Sequence, residues 1–322
     1  MNRNTRRIGG VGILTLASLI WGLAFTAQKQ MLAHMGPITC NCLRFLLGAG
    51  FLLLLVLVRS LLSGKGRQTL RLSVSPAELR GGVLCGLLLF AASLAQQIGL
   101  TESEVGCAAF ITALYIVIVP TLGVFLGRRV PLGAWLCVLA ALGGAYLLTV
   151  VGSSPASDGI GSVSALFSAI GSARLVFYFG DALVFLCAIV YSFHILTVDR
   201  YADRCDGITL SMIQFAVAGV LGILPMLLFE EVSLTGVLGG LPELLYLGIL
   251  SSGVAFTLQV LGQARVEPTL ASMLMSLESV FGAVGGALLL GESMNVAELI
   301  GCAIILLAIL LSQLVRCEKQ PL

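Results

Sequence analysis

Apolar residues in this chain come in runs of about twenty, separated by short polar connectors. A helix rises about 1.5 Å per residue, so roughly 20 residues cross the ~30 Å hydrocarbon layer of a bilayer. Ten such runs can be marked, near residues 8–28, 38–58, 79–99, 105–126, 131–151, 179–198, 208–229, 241–262, 269–290 and 296–315. Only the connectors 59–78 and 152–180 are long. The first run follows Arg3, Arg6 and Arg7, as a signal peptide would. It is too long for a signal peptide's apolar core, and no small-residue cleavage pattern follows it, so it reads as an uncleaved first span.

Composition agrees with the pattern. Of 322 residues 58% are hydrophobic and 11% charged, with a mean hydropathy of +1.05. Soluble domains carry about 25% charged residues, so the chain reads as an all-α integral membrane protein. A net charge of +2 gives no ground for nucleic-acid binding. The position of the charges says more than their sum. If the N-terminus is cytoplasmic, Lys29, Arg44 and Arg174 alone fall outside the inner segments, leaving 15 of the 18 basic residues inside. The outer connectors hold Glu102, Glu104, Asp158, Glu230, Glu231, Glu243, Glu292 and Glu298. Such one-sidedness predicts ten spans with both termini in the cytoplasm, as a multi-pass protein of the cytoplasmic membrane.

The nine cysteines (Cys40, Cys42, Cys85, Cys107, Cys137, Cys187, Cys205, Cys302 and Cys317) lie mostly within apolar runs and form no CxxC pair. They read as small buried hydrophobes, and no metal site is expected. The second histidine, His34, falls in an outer loop away from His194. Zinc-protease, nucleophile-elbow and phosphate-loop motifs are absent, so neither enzyme chemistry, a cofactor nor ATP-driven transport is expected.

The ninth run, TLASMLMSLESVFGAVGGALLLG, carries one ionisable group, Glu278, near its middle. A carboxyl at mid-depth is costly against lipid, so it is expected to face a polar cavity or a partner. Gly282 and Gly286 form a small-residue face suited to close helix packing. The pattern recurs earlier: residues 105–151 contain Tyr115, then Gly123 and Gly127, a short turn and another span. Two halves of five spans each must lie inverted in the membrane, an arrangement common in secondary transporters. The expected division is 1–151, a linker at 152–178, and 179–322. Within the linker, Ile160, Val163, Leu166, Phe167 and Ile170 fall on one helical face, which suits a short surface helix or a loose connection.

Several segments carry a family resemblance: SLIWGLAFTAQKQ, CLRFLLGA and QQIGLTESEVGCAAFITALYIVIVP in the first half, with GDALVFLCAIVYSFHILTVDRY, SMIQFAVAG and SLESVFGAVGGALLLGE in the second. Together they resemble the drug/metabolite transporter superfamily, in its bacterial ten-helix form with two EamA-like halves, from about residue 10 to 314. Ser279 stands where many members have proline. The resemblance implies export or exchange of small metabolites by alternating access. Relatives are similar across amino acids, nucleosides, vitamins and drugs.

Polar groups inside the spans are the candidates for contact with a small-molecule substrate. Glu278 could titrate and couple proton movement to transport, or clamp two helices by a hydrogen bond. Arg44, fixed in its charge, could hold a substrate carboxylate, pair with Glu278, or reach the outer headgroups, as Lys29 is expected to do. His194 lies one turn after Tyr191, which sets two hydrogen-bonding side chains together for substrate contact or for packing. Gln28, Gln97, Gln214 and Gln259 offer amides to a cavity or to neighbouring helices, with Gln96 and Gln263 behind them. Trp21 and Tyr115, away from the interfaces where aromatics usually anchor, could stack on a substrate or simply pack. These groups and the resemblance together suggest a secondary transporter of small polar metabolites such as amino acids, working as an exporter or exchanger. A multidrug, nucleoside or vitamin permease of the same fold is the alternative. An intramembrane enzyme or lipid-handling protein would need clustered catalytic groups at one depth, and a channel would differ in its kinetics.

Overall fold

The computed structural model describes residues 3–62, 74–103, 105–151, 178–285, 287 and 294–315. The expected surface helix at 160–170 and Gly286 lie outside them. In lipid every backbone amide and carbonyl must find a partner within the protein, which favours helix wherever the chain crosses. The described residues are accordingly helical, with nine stretches long and apolar enough to span a membrane.

In chain order the helices are α1 (Arg3–Gly22), α2 (Ala24–Met31), α3 (Pro37–Leu62), α4 (Pro76–Glu102), α5 (Val105–Ala113), α6 (Tyr115–Phe125) and α7 (Leu132–Tyr146), the last continuing into a π-helical turn, Leu147–Val151. There follow α8 (Phe179–Ala202), α9 (Gly207–Phe229), α10 (Leu234–Gly239) and α11 (Leu241–Leu245). A π-helical segment, Tyr246–Phe256, leads into α12 (Thr257–Gln263), then α13 (Pro268–Met275), α14 (Leu277–Gly285) and α15 (Val296–Leu314). The run expected as one span at 269–290 is therefore two helices over its described part, broken at Ser276. The Ser276 amide still bonds the Ser272 carbonyl, but the Ser279 amide bonds back to Ser276, three residues away. Such a tightened turn needs no proline at position 279.

The two halves interdigitate. Helix α4 packs on α8 and α9, α3 on α9 and the π-helical segment, α7 on α15, α1 on α12 and α14, and α8 on α5 and α6. Partners repeat along the chain: α4 meets α8 and α9 as the π-helical segment meets α1 and α3, and α8 meets α5 and α6 as α1 meets α13 and α14. Lipid-facing leucines such as Leu54, Leu224, Leu227, Leu307 and Leu310 are exposed, while Gln97, His194, Gln214, Gln259 and Gln263 are buried. These polar groups thus sit inside, and the exposed faces of the spans are rich in leucine.

Close backbone approach holds two of these seams. A Cβ on Gly22 would stand 2.8 Å from the Gly282 nitrogen, and one on Gly282 would stand 2.8 Å from the Gly22 carbonyl. Gly144 and Gly301 meet in the same way across α7 and α15, at 2.9 and 2.7 Å. Gly123 and Gly127, expected at a packing face, are used differently. Among the described residues outside its own helical turn, the nearest atom to a Cβ on Gly123 is Arg128 Cδ at 3.6 Å, and none lies within 4 Å at Gly127. Gly127 has φ +84° and closes α6: its amide bonds the Val124 carbonyl while the Arg128 amide bonds the Gly123 carbonyl, both at 2.9 Å. That left-handed closing residue is one only glycine adopts cheaply.

Ion pairs and caps gather at the bundle's two ends. At one, Arg128 pairs with Asp199 at 2.6 Å, Arg6 with Asp203 at 3.1 Å and Arg59 with Asp206 at 3.4 Å. At the other, the Ile38 and Thr39 amides of α3 donate to the Glu230 carboxylate at 2.8 and 2.7 Å. There Lys29 donates to the Leu100 and Ser103 carbonyls and so caps α4 from within the protein.

Candidate functional site

Three mid-span interruptions surround one cavity. Leu23 separates α1 from α2, Leu114 separates α5 from α6, and Ser276 separates α13 from α14. Each break turns the residues after it onto a new helical phase, so side chains near it can point inward together. Trp21 precedes the first break and Gln28 comes after it; Tyr115 directly succeeds the second; Glu278 lies two residues beyond the third. The π-helical segment brings in Ser251 and Phe256 from another side. Non-α stretches of this kind are frequent where a helix serves a binding site.

The space between these elements is a partly open cavity. Its wall is mixed. Trp21 donates through Nε1 to the Ser251 carbonyl at 3.1 Å, and its ring meets Phe256 edge-on, 4.8 Å between centroids. Arg44 Nη1 donates to Gln28 Oε1 at 2.9 Å, and its guanidinium carbon lies 4.6 Å from the Phe45 ring centre. Gln96 Nε2 donates to Thr112 Oγ1 at 3.2 Å. The Tyr115 hydroxyl donates to Glu278 Oε1 at 3.2 Å, joining the first half to the second. The cavity therefore presents one guanidinium and one carboxyl group, each held by a neutral side chain of the protein, among aromatic and amide surfaces. Such a wall suits a small molecule with both polar and apolar parts.

Of the residues singled out in the sequence, Trp21, Gln28, Arg44, Gln96, Tyr115, Tyr191, Gln259 and Glu278 line the cavity. Arg44 is only 4% exposed, so it turns into the protein rather than out to the headgroups. Gln97, His194 and Gln214 lie behind the wall. Gln97 Nε2 donates to the Gln28 carbonyl at 3.3 Å. His194 Nε2 and Gln214 Oε1 are 3.0 Å apart, and the imidazole stands edge-on to Tyr191 and Phe256. Helix geometry accounts for these positions: Gln96 and Gln97 are about 100° apart around α4, and Ile195, four residues after Tyr191, shares its face more closely than His194 does. Phe25, Thr112, Ser251, Phe256 and Met275 also line the cavity and were not singled out. A signal did exist for Ser251, which stands two helical turns before Gln259.

The described residues form an all-helical membrane protein with a cavity of mixed lining walled by residues of both halves. Residues 8–150 and 178–314 each match the model of the EamA-like transporter family. The chain belongs to that family, and so to the transporters rather than the enzymes; the drug/metabolite transporter superfamily fits the same comparisons. It is 25% identical over 307 residues to an uncharacterized transporter of Archaeoglobus fulgidus, covering 94% of this chain and 84% of the relative. A crystal structure with 21% identity superposes with a TM-score of 0.71 over 96% of this chain and 97% of the other, and shows a shared fold.

Proposed function

We propose that this transporter is a secondary carrier for small polar metabolites, amino acids or related compounds, and that it works by alternating access as an exporter or exchanger. The observation that carries this reading is the cavity itself: Tyr115 of the first half and Glu278 of the second meet at 3.2 Å across it. Any relative motion of the halves must therefore remodel the site. The repeat of partners in the packing favours two inverted halves of five spans, with ten spans in all and α13 and α14 forming part of the ninth. The gathering of Arg6, Arg59 and Arg128 at one end favours that end as cytoplasmic, in a bacterial inner membrane. Glu278 is the group we assign to proton coupling, since it is an ionisable side chain at mid-span and lies on the cavity wall.

The test is uptake by the purified protein in proteoliposomes, offered pooled amino acids, nucleosides and vitamins with and without a pH gradient. Saturable uptake with counterflow is the expected result. Large non-saturating fluxes would point to a channel, and selective uptake of nucleosides or drugs would replace the substrate class while leaving the carrier intact.

A further inference from the structure

Four arginines with described side-chain partners can be compared directly. Arg6, Arg59 and Arg128 each meet an aspartate. Arg44 does not: among the described residues its contacts are the neutral Gln28 oxygen and the face of Phe45. Its Nε is buried without a hydrogen-bond partner, and the residue is 4% exposed. A guanidinium offers five N–H donors and stays protonated under all ordinary conditions. Burying that charge is expensive unless an anion and hydrogen-bond acceptors compensate it. One amide oxygen and one aromatic face compensate it in part. The remaining donors belong to a side chain on the wall of the cavity.

We infer that the transported molecule carries a carboxylate and that Arg44 is its handle, an inference that rests on the carrier reading above. Three features select a carboxylate over other anions. The planar fork of the guanidinium matches two carboxylate oxygens. The lining residues contain no second cation to balance the greater charge of a phosphate. Gln28, which accepts from Nη1, holds the guanidinium in place and leaves other donors for the ligand. The aromatic residues Trp21, Phe25 and Phe256 give the same cavity an apolar surface, so the carboxylate is attached to a carbon skeleton rather than being a bare inorganic anion. Arg44 is thus a specificity-determining residue. Its loss should fall on carboxylate-bearing compounds and spare compounds without one.

The experiment uses full-length protein in proteoliposomes and three radiolabelled probes of one skeleton: L-leucine, 4-methylpentanoate, which lacks the amine, and 3-methylbutylamine, which lacks the carboxylate. Labelled thymidine serves as a probe of another class. Wild type is expected to take up one or both carboxylate probes saturably, and the amine poorly. Arg44→Gln should lower that uptake about tenfold or more, the scale of a lost charge-assisted hydrogen-bond pair, and Arg44→Lys should recover only part of it. Should Arg44→Gln not fold, competition in wild type reads the same point, because 4-methylpentanoate should compete and 3-methylbutylamine should not. Uptake of the amine or thymidine alone, or carboxylate uptake unchanged in Arg44→Gln, would overturn the handle and leave the carrier standing. No saturable uptake of any probe by wild type would overturn both.

Discussion

The Tyr115 hydroxyl, one residue past the break in its span, donates to the Glu278 carboxyl, two residues past the break in the facing span. The bond joins the two halves of the chain and sits on the cavity wall. It also answers how the protein keeps a carboxyl group inside the membrane, since a phenolic donor replaces water at one of its oxygens.

The pairing leads to a pH prediction. With Glu278→Gln the amide oxygen still accepts from Tyr115, while the group can no longer gain or lose a proton. Saturable uptake at equal pH on both sides should persist, and stimulation by a pH gradient should vanish. The measurement is initial uptake rate against imposed gradient. An unaltered gradient response in the variant would assign Glu278 to holding the halves together and nothing more.

Arg128 and Asp199 form the best-buried ion pair among the described residues, with side-chain exposures of 10% and 2%. Removing one partner of such a pair strands the other, typically at about 3–5 kcal/mol, whereas replacing both by apolar groups costs far less. Arg128→Met and Asp199→Leu should each lower the unfolding temperature in detergent by several degrees, and the double variant should lie closer to wild type than either single one. Additive losses would contradict the pairing.

The glycines separate into two groups by what surrounds them. Gly22→Ala places a Cβ within 2.8 Å of backbone atoms of α14, and Gly144→Ala within 2.9 Å of the Gly301 carbonyl. Both should reduce the yield of monodisperse protein sharply. Gly123→Ala meets nothing closer than 3.6 Å among the described residues and should be close to neutral. Gly127→Ala keeps its space but must hold a left-handed backbone, at a cost of about 1 kcal/mol. Size-exclusion profiles of the four variants would settle the ranking.

Trp21 has two contacts that a single substitution can split. Trp21→Phe removes the donor to the Ser251 carbonyl and keeps an aromatic ring near Phe256; Trp21→Ala removes both. Apparent affinity for the transported compound should fall several-fold in the first and further in the second. With Trp135→Phe as background, Trp21 is the chain's remaining tryptophan. Its emission should then shift on adding a transported compound and stay fixed on adding one that is not.

The sequence by itself determined the membrane class, the positions of the apolar runs, the one-sided charge and the inventory of polar groups within the spans. These are linear properties: the bilayer fixes a run length, and a connector carries its charges wherever it folds. It also marked eight of the side chains that line the cavity, because a polar or aromatic group far from an interface needs a polar or packed setting. Which way each group turns was decided only by the tertiary structure. A helix enclosed on most sides is apolar all round, so its sequence has no periodicity to tell Gln96, which faces the cavity, from Gln97, which does not. The breaks at Leu23, Leu114 and Ser276 lie in uniformly apolar or small-residue sequence with no proline or glycine pair to mark them all, and they reset the helical phase of the residues beyond them. The glycine seams show the same limit in part: Gly282, marked as a packing glycine, does meet a backbone, that of Gly22, but the GxxxG spacing of Gly123 and Gly127 closes a helix, and Gly144 meets Gly301 with no motif to mark the pair. Close approach belongs to the pair, and only folding brings the pair together.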